Sequence, residues 1–433
     1  MNYTEHSALT YKSVLLFWLP LAATWLMMSI EGPFLSALIA RLAEPKFNLA
    51  AYGVSYSFAL IIEAPVIMMM SASTALVKDY QSFIKLRNFN TALSIIITSV
   101  MLILLIPQIF YLITEGLINL PKQVADLTYY STIILLPWPA AIGYRRFYQG
   151  ILIRNNLTRR VAYGTAIRLI SMAATAFVLF LFTDVPGVIV GASSLSAAVI
   201  LEALSSRVMA NSTVNMIKQN KPDLFDNISY SHILKFYYPL ALTSLISLGV
   251  QPLVTFFVGQ STMPLESLAV LPVITSFVFI FRAFGLSYQE VVITFWGRSK
   301  NANDVLKKFA AVLGLLLTLS LGIIAYTPLS DVWFIYVSGL SDFLSEFSKL
   351  PTMIMTILPA LTLLISFQRA TLISRNNTKP VTIGTLIEFL TILTVLYLLI
   401  GLLSFIGVIG AAIAFVTGRI LANTYLATVI KRN

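Results

Sequence analysis

The 433-residue chain has no cysteine, two histidines, and a charged fraction of 11%. Without cysteine there can be no disulfides and no thiolate metal ligands. The histidines, His6 and His232, lie at the flanks of apolar segments, which argues against a buried histidine relay. Soluble domains carry about a quarter of their residues as charges, so this scarcity, beside a hydrophobic content of 58%, excludes an ordinary soluble fold. Also missing are a GxxxxGK[ST] phosphate loop, an HExxH helix and a nucleophile elbow, so neither direct ATP drive nor intramembrane hydrolysis has a basis here. We expect no enzyme, no cofactor and no metal site.

The chain does have long apolar runs. Twelve can be drawn, at residues 13–40, 49–77, 90–113, 124–153, 160–182, 187–209, 233–259, 265–296, 305–326, 343–373, 381–402 and 405–430. At 1.5 Å per residue each can cross about 30 Å of hydrocarbon. The expected class is an all-α polytopic membrane protein. Pro20, Pro33, Pro65, Pro137, Pro139, Pro252, Pro272 and Pro359 fall inside these runs and are expected to break or kink them. Glu5 and His6 precede a first run too long for a cleaved signal, so that segment is expected to be retained.

Charge gives the orientation. With a cytoplasmic N-terminus, Lys78, Lys85, Arg154, Arg159, Arg160, Lys218, Lys307, Lys308, Arg375 and Lys379 all fall on the cytoplasmic side. Arg41, Lys46, Lys122 and Lys349 fall on the other. The positive-inside rule then places both termini in the cytoplasm and the protein in the inner membrane. The net charge of +11 sits in short clusters beside segment ends, where anionic headgroups are its partners; nucleic acid is not expected.

The same unit occurs twice. Phe17 Trp18 Leu19 Pro20 Leu21 Ala22 returns as Phe236 Tyr237 Tyr238 Pro239 Leu240 Ala241, and Arg154 Asn155 Asn156 as Arg375 Asn376 Asn377. Gly187 Val188 Ile189 returns as Gly407 Val408 Ile409. These offsets of 219 to 221 residues define two six-segment bundles, residues 1–210 and 232–433, joined by a polar cytoplasmic linker at 211–231. Parallel repeats of this kind mark a transporter that rocks between two states about a shared site.

Ionisable residues inside the segments are the functional candidates, since each costs about 2.5 to 3.5 kcal/mol at a helix centre on insertion scales. Arg282, Arg145, Arg146 and Arg168, with the amides Gln251 and Gln289, are expected to hold substrate, because a guanidinium grips carboxylate and phosphate in two places. Glu63, Glu31, Glu290, Glu388 and Glu202 are expected to couple ions or latch the lobes. For Arg145, Arg369 and Arg419 a second reading stays open, in which the side chain reaches up to the headgroups. In the repeat register Glu63 falls on Arg282 and Arg168 on Glu388, so opposite charges occupy equivalent places and could pair across the lobes. A broken helix at Pro252 would expose backbone groups beside Gln251.

Residues 17–21, Glu31 with 37–41, 49–57, 150–152, and 236–242 running through Pro252 to 266–273 resemble the progressive ankylosis protein family. That family belongs to the superfamily of multidrug and toxic compound extrusion proteins, oligosaccharide flippases and the lipid II flippase. The resemblance implies a MATE-like fold of twelve helices in two homologous bundles, and export of pyrophosphate, nucleotide or citrate-like anions. It makes Glu31 the first-segment carboxylate. The extrusion proteins carry an aspartate further along that segment, at about the place of Leu35 here. The expected function is secondary, alternating-access export of a small anion by a monomer, with a proton or sodium as coupling ion. Multidrug antiport, lipid-linked glycan flipping and a non-transport receptor role are the alternatives.

Overall fold

The computed structural model describes residues 8–155, 157–219, 228–297, 299, 301–375, 377 and 379–432. His6, Asn156, Asn376 and residues 220–227 of the expected linker lie outside the described residues. The described chain is helical, with one isolated bridge between Thr262 and Ile406. Among the described residues eleven helices are long and apolar enough to cross a membrane. In chain order the spans are α1 (Tyr11–Ile39), α2 (Pro45–Leu76), α3 (Tyr80–Leu104), α4, α5 (Arg159–Phe182), α6 (Gly187–Met209), α7 (Tyr230–Gly259), α8 (Pro264–Phe295), α9 (Ala302–Tyr326), α10 (Asp342–Ser374), α11 (Lys379–Leu402) and α12 (Gly407–Arg432). The twelfth, α4, consists of two shorter helices, Lys122–Ile134 and Trp138–Arg154, joined by a turn at Pro137. The protein is an integral, multi-pass membrane protein.

Local chemistry sets the helix starts. Thr10 and Asp79 close capping boxes at α1 and α3, satisfying backbone donors that the first turn cannot use. Proline opens α2 and α8, where its missing N–H costs nothing. Prolines within the spans act unequally. The chain bends near Pro33, Pro65, Pro137 and Pro359, but Pro20 and Pro272 sit inside continuous helices. The break expected at Pro252 is absent: α7 runs unbroken through Pro239 and Pro252. Helices in lipid tolerate proline where neighbouring groups take up the freed carbonyl.

The duplication extends to the backbone. Left-handed residues precede both α2 and α8, Glu44 at φ 49° and Met263 at φ 54°. Asn119 at φ 63° and Gly339 at φ 74° close equivalent turns, each directly after a π-helical turn, Leu112–Leu117 and Val332–Val337. Two non-glycine residues in a costly conformation at matching places reflect one backbone design used twice.

Packing divides the chain into two compact units, residues 42–259 and residues 1–41 with 260–433. The first unit holds α2 to α7 and the second holds α1 with α8 to α12, six spans each. Packing and repeat therefore cut the chain at different places. In the first unit α7 lies on α2 through a hydroxyl pair, Ser57 and Thr255 at 2.9 Å, and the Tyr237 hydroxyl donates to the Pro65 carbonyl. In the second unit the Trp18 indole donates to Ser287 Oγ at 2.8 Å, fastening α1 to α8, and a side chain at Gly32 would collide with Ser276.

Within each unit the spans differ in burial. α6 is two-thirds buried along its most apolar stretch, whereas α5 is 11% buried. Ile170, Phe177, Leu181 and Phe182 of α5 and Leu315, Leu319 and Ile323 of α9 stand exposed. Such a surface suits acyl chains, which are as apolar as the side chains that meet them. The first nine residues of the expected linker form a helix, Asn211–Gln219. Its Val214 and Ile217 pack among Phe83, Tyr148 and Tyr237.

Gly150 on α4 is where α2 approaches most closely: an added Cβ would lie 2.4 Å from the Met70 carbonyl oxygen and 2.6 Å from Ser73 Cβ. Gly150→Val is expected to destabilise the protein by about 2 kcal/mol through overpacking, read as a lower melting temperature in detergent. Gly249→Ala, with nothing within 4 Å of the new methyl, should leave the temperature unchanged or higher.

Candidate functional site: two charge clusters

Each unit gathers one group of ionic side chains, buried or half-buried, among its membrane-spanning helices. In the 42–259 unit, the helical bend after Glu63 brings its carboxylate to Trp138, whose indole Nε1 donates to it. Trp138, Arg145 and Gln149 follow one another at spacings of seven and four residues on the same helix, so they share a face. That face meets α6. Arg145 Nη1 pairs with Glu202 Oε2, both side chains almost wholly buried, and Gln149 Nε2 donates to Glu202 Oε1 at 3.0 Å. Gly164 of α5 lies beside this carboxylate, where an added Cβ would sit in ordinary contact with Glu202 Cγ at 3.6 Å. One turn on, the Arg168 guanidinium stands 6.0 Å over the Trp138 ring, within cation–π range.

Arg146 differs from its neighbour. Its guanidinium donates to the Met70 thioether at 3.6 Å, a weak acceptor. Among the described residues no carboxylate lies within 4 Å of it.

The second unit's cluster joins α8, α10, α11 and α12. Glu388 accepts from Arg419 Nε at 2.8 Å and lies 2.8 Å from its Nη2, a two-pronged grip, and its other oxygen lies 3.9 Å from Arg369 Nη2. Arg369 also donates to Thr385 Oγ1 at 3.1 Å. The buried hydroxyl of Thr362 accepts from Arg282 Nε at 3.1 Å and from Arg419 Nη1 at 3.5 Å. Arg282, like Arg146, has no carboxylate within 4 Å among the described residues. Three guanidiniums thus share this cluster with one carboxylate, which two of them reach, whereas three arginines accompany Glu63 and Glu202 in the other cluster.

The structure brings together most of the residues singled out from sequence. Arg145, Arg146, Arg168, Glu63 and Glu202 form one group and Arg282 and Glu388 belong to the other. Glu31 is buried at the helix turn that follows Ile30 in α1. Glu290 is exposed, and Gln251 and Gln289 are half-buried with no side-chain hydrogen bond among the described residues. Glu63 and Glu388 find partners inside their own units, in Trp138 and Arg419. Arg369 and Arg419 are not headgroup-seeking: both turn inward to Glu388. Their shared carboxylate lies 19 and 31 residues away, so only the fold reveals the pairing. Thr362 and Trp138 carried no sequence signal, though Trp138, Arg145 and Gln149 at helical spacing could have suggested a polar face.

No protein-family model matches the sequence, and no curated protein matches it significantly. Solved structures do match along nearly the whole chain. An inward-facing multidrug resistance MATE family transporter of the MOP superfamily superposes with a TM-score of 0.74 at 15% identity, covering 94% of this chain and 95% of that one. The lipid II flippase MurJ in an inward closed conformation gives 0.73 at 17% identity, covering 97% and 87%. A MOP superfamily transporter from Pyrococcus furiosus, described as having a binding pocket of reverse polarity, gives 0.54 at 15% identity, covering 97% and 93%. The chain therefore has the twelve-helix, two-bundle MATE-like fold.

Breaking the buried Arg145–Glu202 pair strands a charge. Glu202→Ala should cost about 3 to 5 kcal/mol, whereas the joint change Arg145→Met with Glu202→Leu should cost far less. Melting temperatures of the two variants in detergent check this ordering.

Proposed function

We propose that the protein is a secondary active transporter of the MOP superfamily that exports a small organic or phosphate-bearing anion, in kind closest to the progressive ankylosis proteins. One observation carries this reading: each unit keeps a half-buried guanidinium among membrane-spanning helices with no carboxylate within 4 Å among the described residues, Arg146 in one and Arg282 in the other. An uncompensated charge in such surroundings is costly, and a negatively charged substrate offsets that cost whenever it is bound. Arg146 and Arg282 are the substrate-gripping residues in this account. Arg145 and Arg168 set the local field, and Glu63, buried beside a neutral indole, is the candidate coupling carboxylate. The two repeats alternate between inward-open and outward-open states across the inner membrane.

A second reading has a specific observation behind it. The likeness to the lipid II flippase is as close as that to the multidrug transporter, and a lipid-linked pyrophosphate would meet Arg145 and Arg146 through the same chemistry. Multidrug cation export fits less well, because arginines outnumber carboxylates in both clusters.

Purified protein in liposomes should accumulate labelled pyrophosphate, and Arg146→Ala and Arg282→Ala should each lower the flux at least about tenfold, the scale of a lost charge-assisted hydrogen bond. Both variants should remain monodisperse. Undiminished flux in folded Arg282→Ala would remove the central role given to that residue.

A further inference from the structure

The anion-export reading leaves open where the charged group sits and what chemistry it has. We propose that Arg282, Thr362 and Arg419 form a site for a doubly charged phosphoryl group, and that Glu388 is a tethered anion which holds Arg419 until that group displaces it. The proposal rests on the reading above and narrows it to one unit and one substrate chemistry.

Three features of the cluster support it. First, the geometry converges. Arg282 on α8 and Arg419 on α12 both donate to the single hydroxyl of Thr362 on α10, at 3.1 and 3.5 Å. Two guanidiniums aimed at one small oxygen leave their other N–H groups close together, and a tetrahedral oxyanion presents several acceptors to such a fork pair. Second, the charge does not close. Among the described residues the cluster sets Arg282, Arg369 and Arg419 against one carboxylate, Glu388, which pairs with Arg419 and more loosely with Arg369; two positive charges are left, so a monocarboxylate would still leave one uncompensated and a phosphoryl dianion would not. Third, the carboxylate is held as a ligand would be. Glu388 is gripped by two nitrogens of Arg419 at 2.8 Å but only loosely by Arg369 at 3.9 Å, and Arg369 Nε is buried with no hydrogen-bond partner among the described residues. Arg369 already has a neutral acceptor in Thr385, so it can release Glu388 without being stranded.

A purely structural network would respond differently to substitution. If Glu388 only stabilises the fold, neutralising it lowers stability and leaves anion affinity unchanged or weaker. If it competes with the substrate, neutralising it strengthens binding. Thr362 gives an independent test, because valine keeps its shape and serine keeps its hydroxyl.

The experiment is calorimetric titration of the full-length protein in detergent with sodium pyrophosphate at fixed ionic strength, repeated with farnesyl pyrophosphate as a lipid-linked probe. Glu388→Gln should bind about tenfold more tightly than the wild type. Thr362→Val should bind at least about fivefold more weakly, with Thr362→Ser close to the wild type. Binding of the soluble probe, or of the farnesyl probe alone, with this pattern supports the site and identifies whether the phosphoryl group arrives free or on a lipid. Binding of neither probe, or Glu388→Gln binding no better than wild type while still monodisperse, overturns the proposal. If Glu388→Gln does not fold, equal affinities for the valine and serine variants overturn it instead. Pyrophosphate flux that depends on Arg146 but is indifferent to changes at positions 388 and 362 would remove this site and leave anion export standing; absence of both flux and binding would remove both.

Discussion

A charge within the hydrocarbon layer must find a partner, water or a ligand, and this requirement organises the rest of the molecule. The spans themselves come cheaply: long apolar helices satisfy their own backbone groups and present Leu, Ile and Phe to the acyl chains. The six arginines of the two clusters are different. Each has to be met by something on another helix, and the helix contacts that bring Glu202 to Arg145 and Glu388 to Arg419 also fix α4 against α6 and α11 against α12. Where no carboxylate lies within 4 Å among the described residues, at Arg146 and Arg282, the structure offers a thioether and a hydroxyl. Those two positions have the weakest compensation for a full charge.

The two clusters are related but not copies. The repeat puts Glu63 of one half at the place of Arg282 in the other, and Arg168 at the place of Glu388. Each half has resolved the substitution locally. Glu63 has gone to an indole, Glu388 to an arginine that its own half supplies. An exchange of sign at equivalent positions leaves the backbone alike, down to the left-handed residues Glu44 and Met263, while giving one unit a single surplus positive charge and the other two. Two halves with a shared backbone plan can in this way hold two chemically different groups.

Much of this was legible in the sequence, for reasons specific to membranes. Length and apolarity give the twelve spans, because hydrocarbon thickness fixes how long a helix must be. The duplication was visible at Phe17 to Ala22 and Phe236 to Ala241 because both turns of chain solve the same packing problem. Arg146 and Arg282 stood out by rarity alone. What could not be read was pairing. Arg145 meets Glu202 across 57 residues, Thr362 is one threonine among many, and Arg369 and Arg419 are compatible with reaching headgroups until the fold turns them inward to Glu388. Nor does a repeat boundary reveal a packing boundary: α1 lies with α8 to α12 because Trp18 and Gly32 fit Ser287 and Ser276, a complementarity of particular surfaces. Proline was an unreliable guide, since Pro65 bends its helix and Pro252 does not.

The claim underneath all of this is that the surplus positive charge among the spans exists to meet a negative substrate. Charge movement on a solid-supported membrane tests it most directly, with reconstituted protein exposed to rapid jumps of pyrophosphate or of a permeant cationic dye. The account requires a transient current on the pyrophosphate jump, of the sign of a negative charge entering the protein, and none on the dye. A dye-evoked current with no response to pyrophosphate would contradict it.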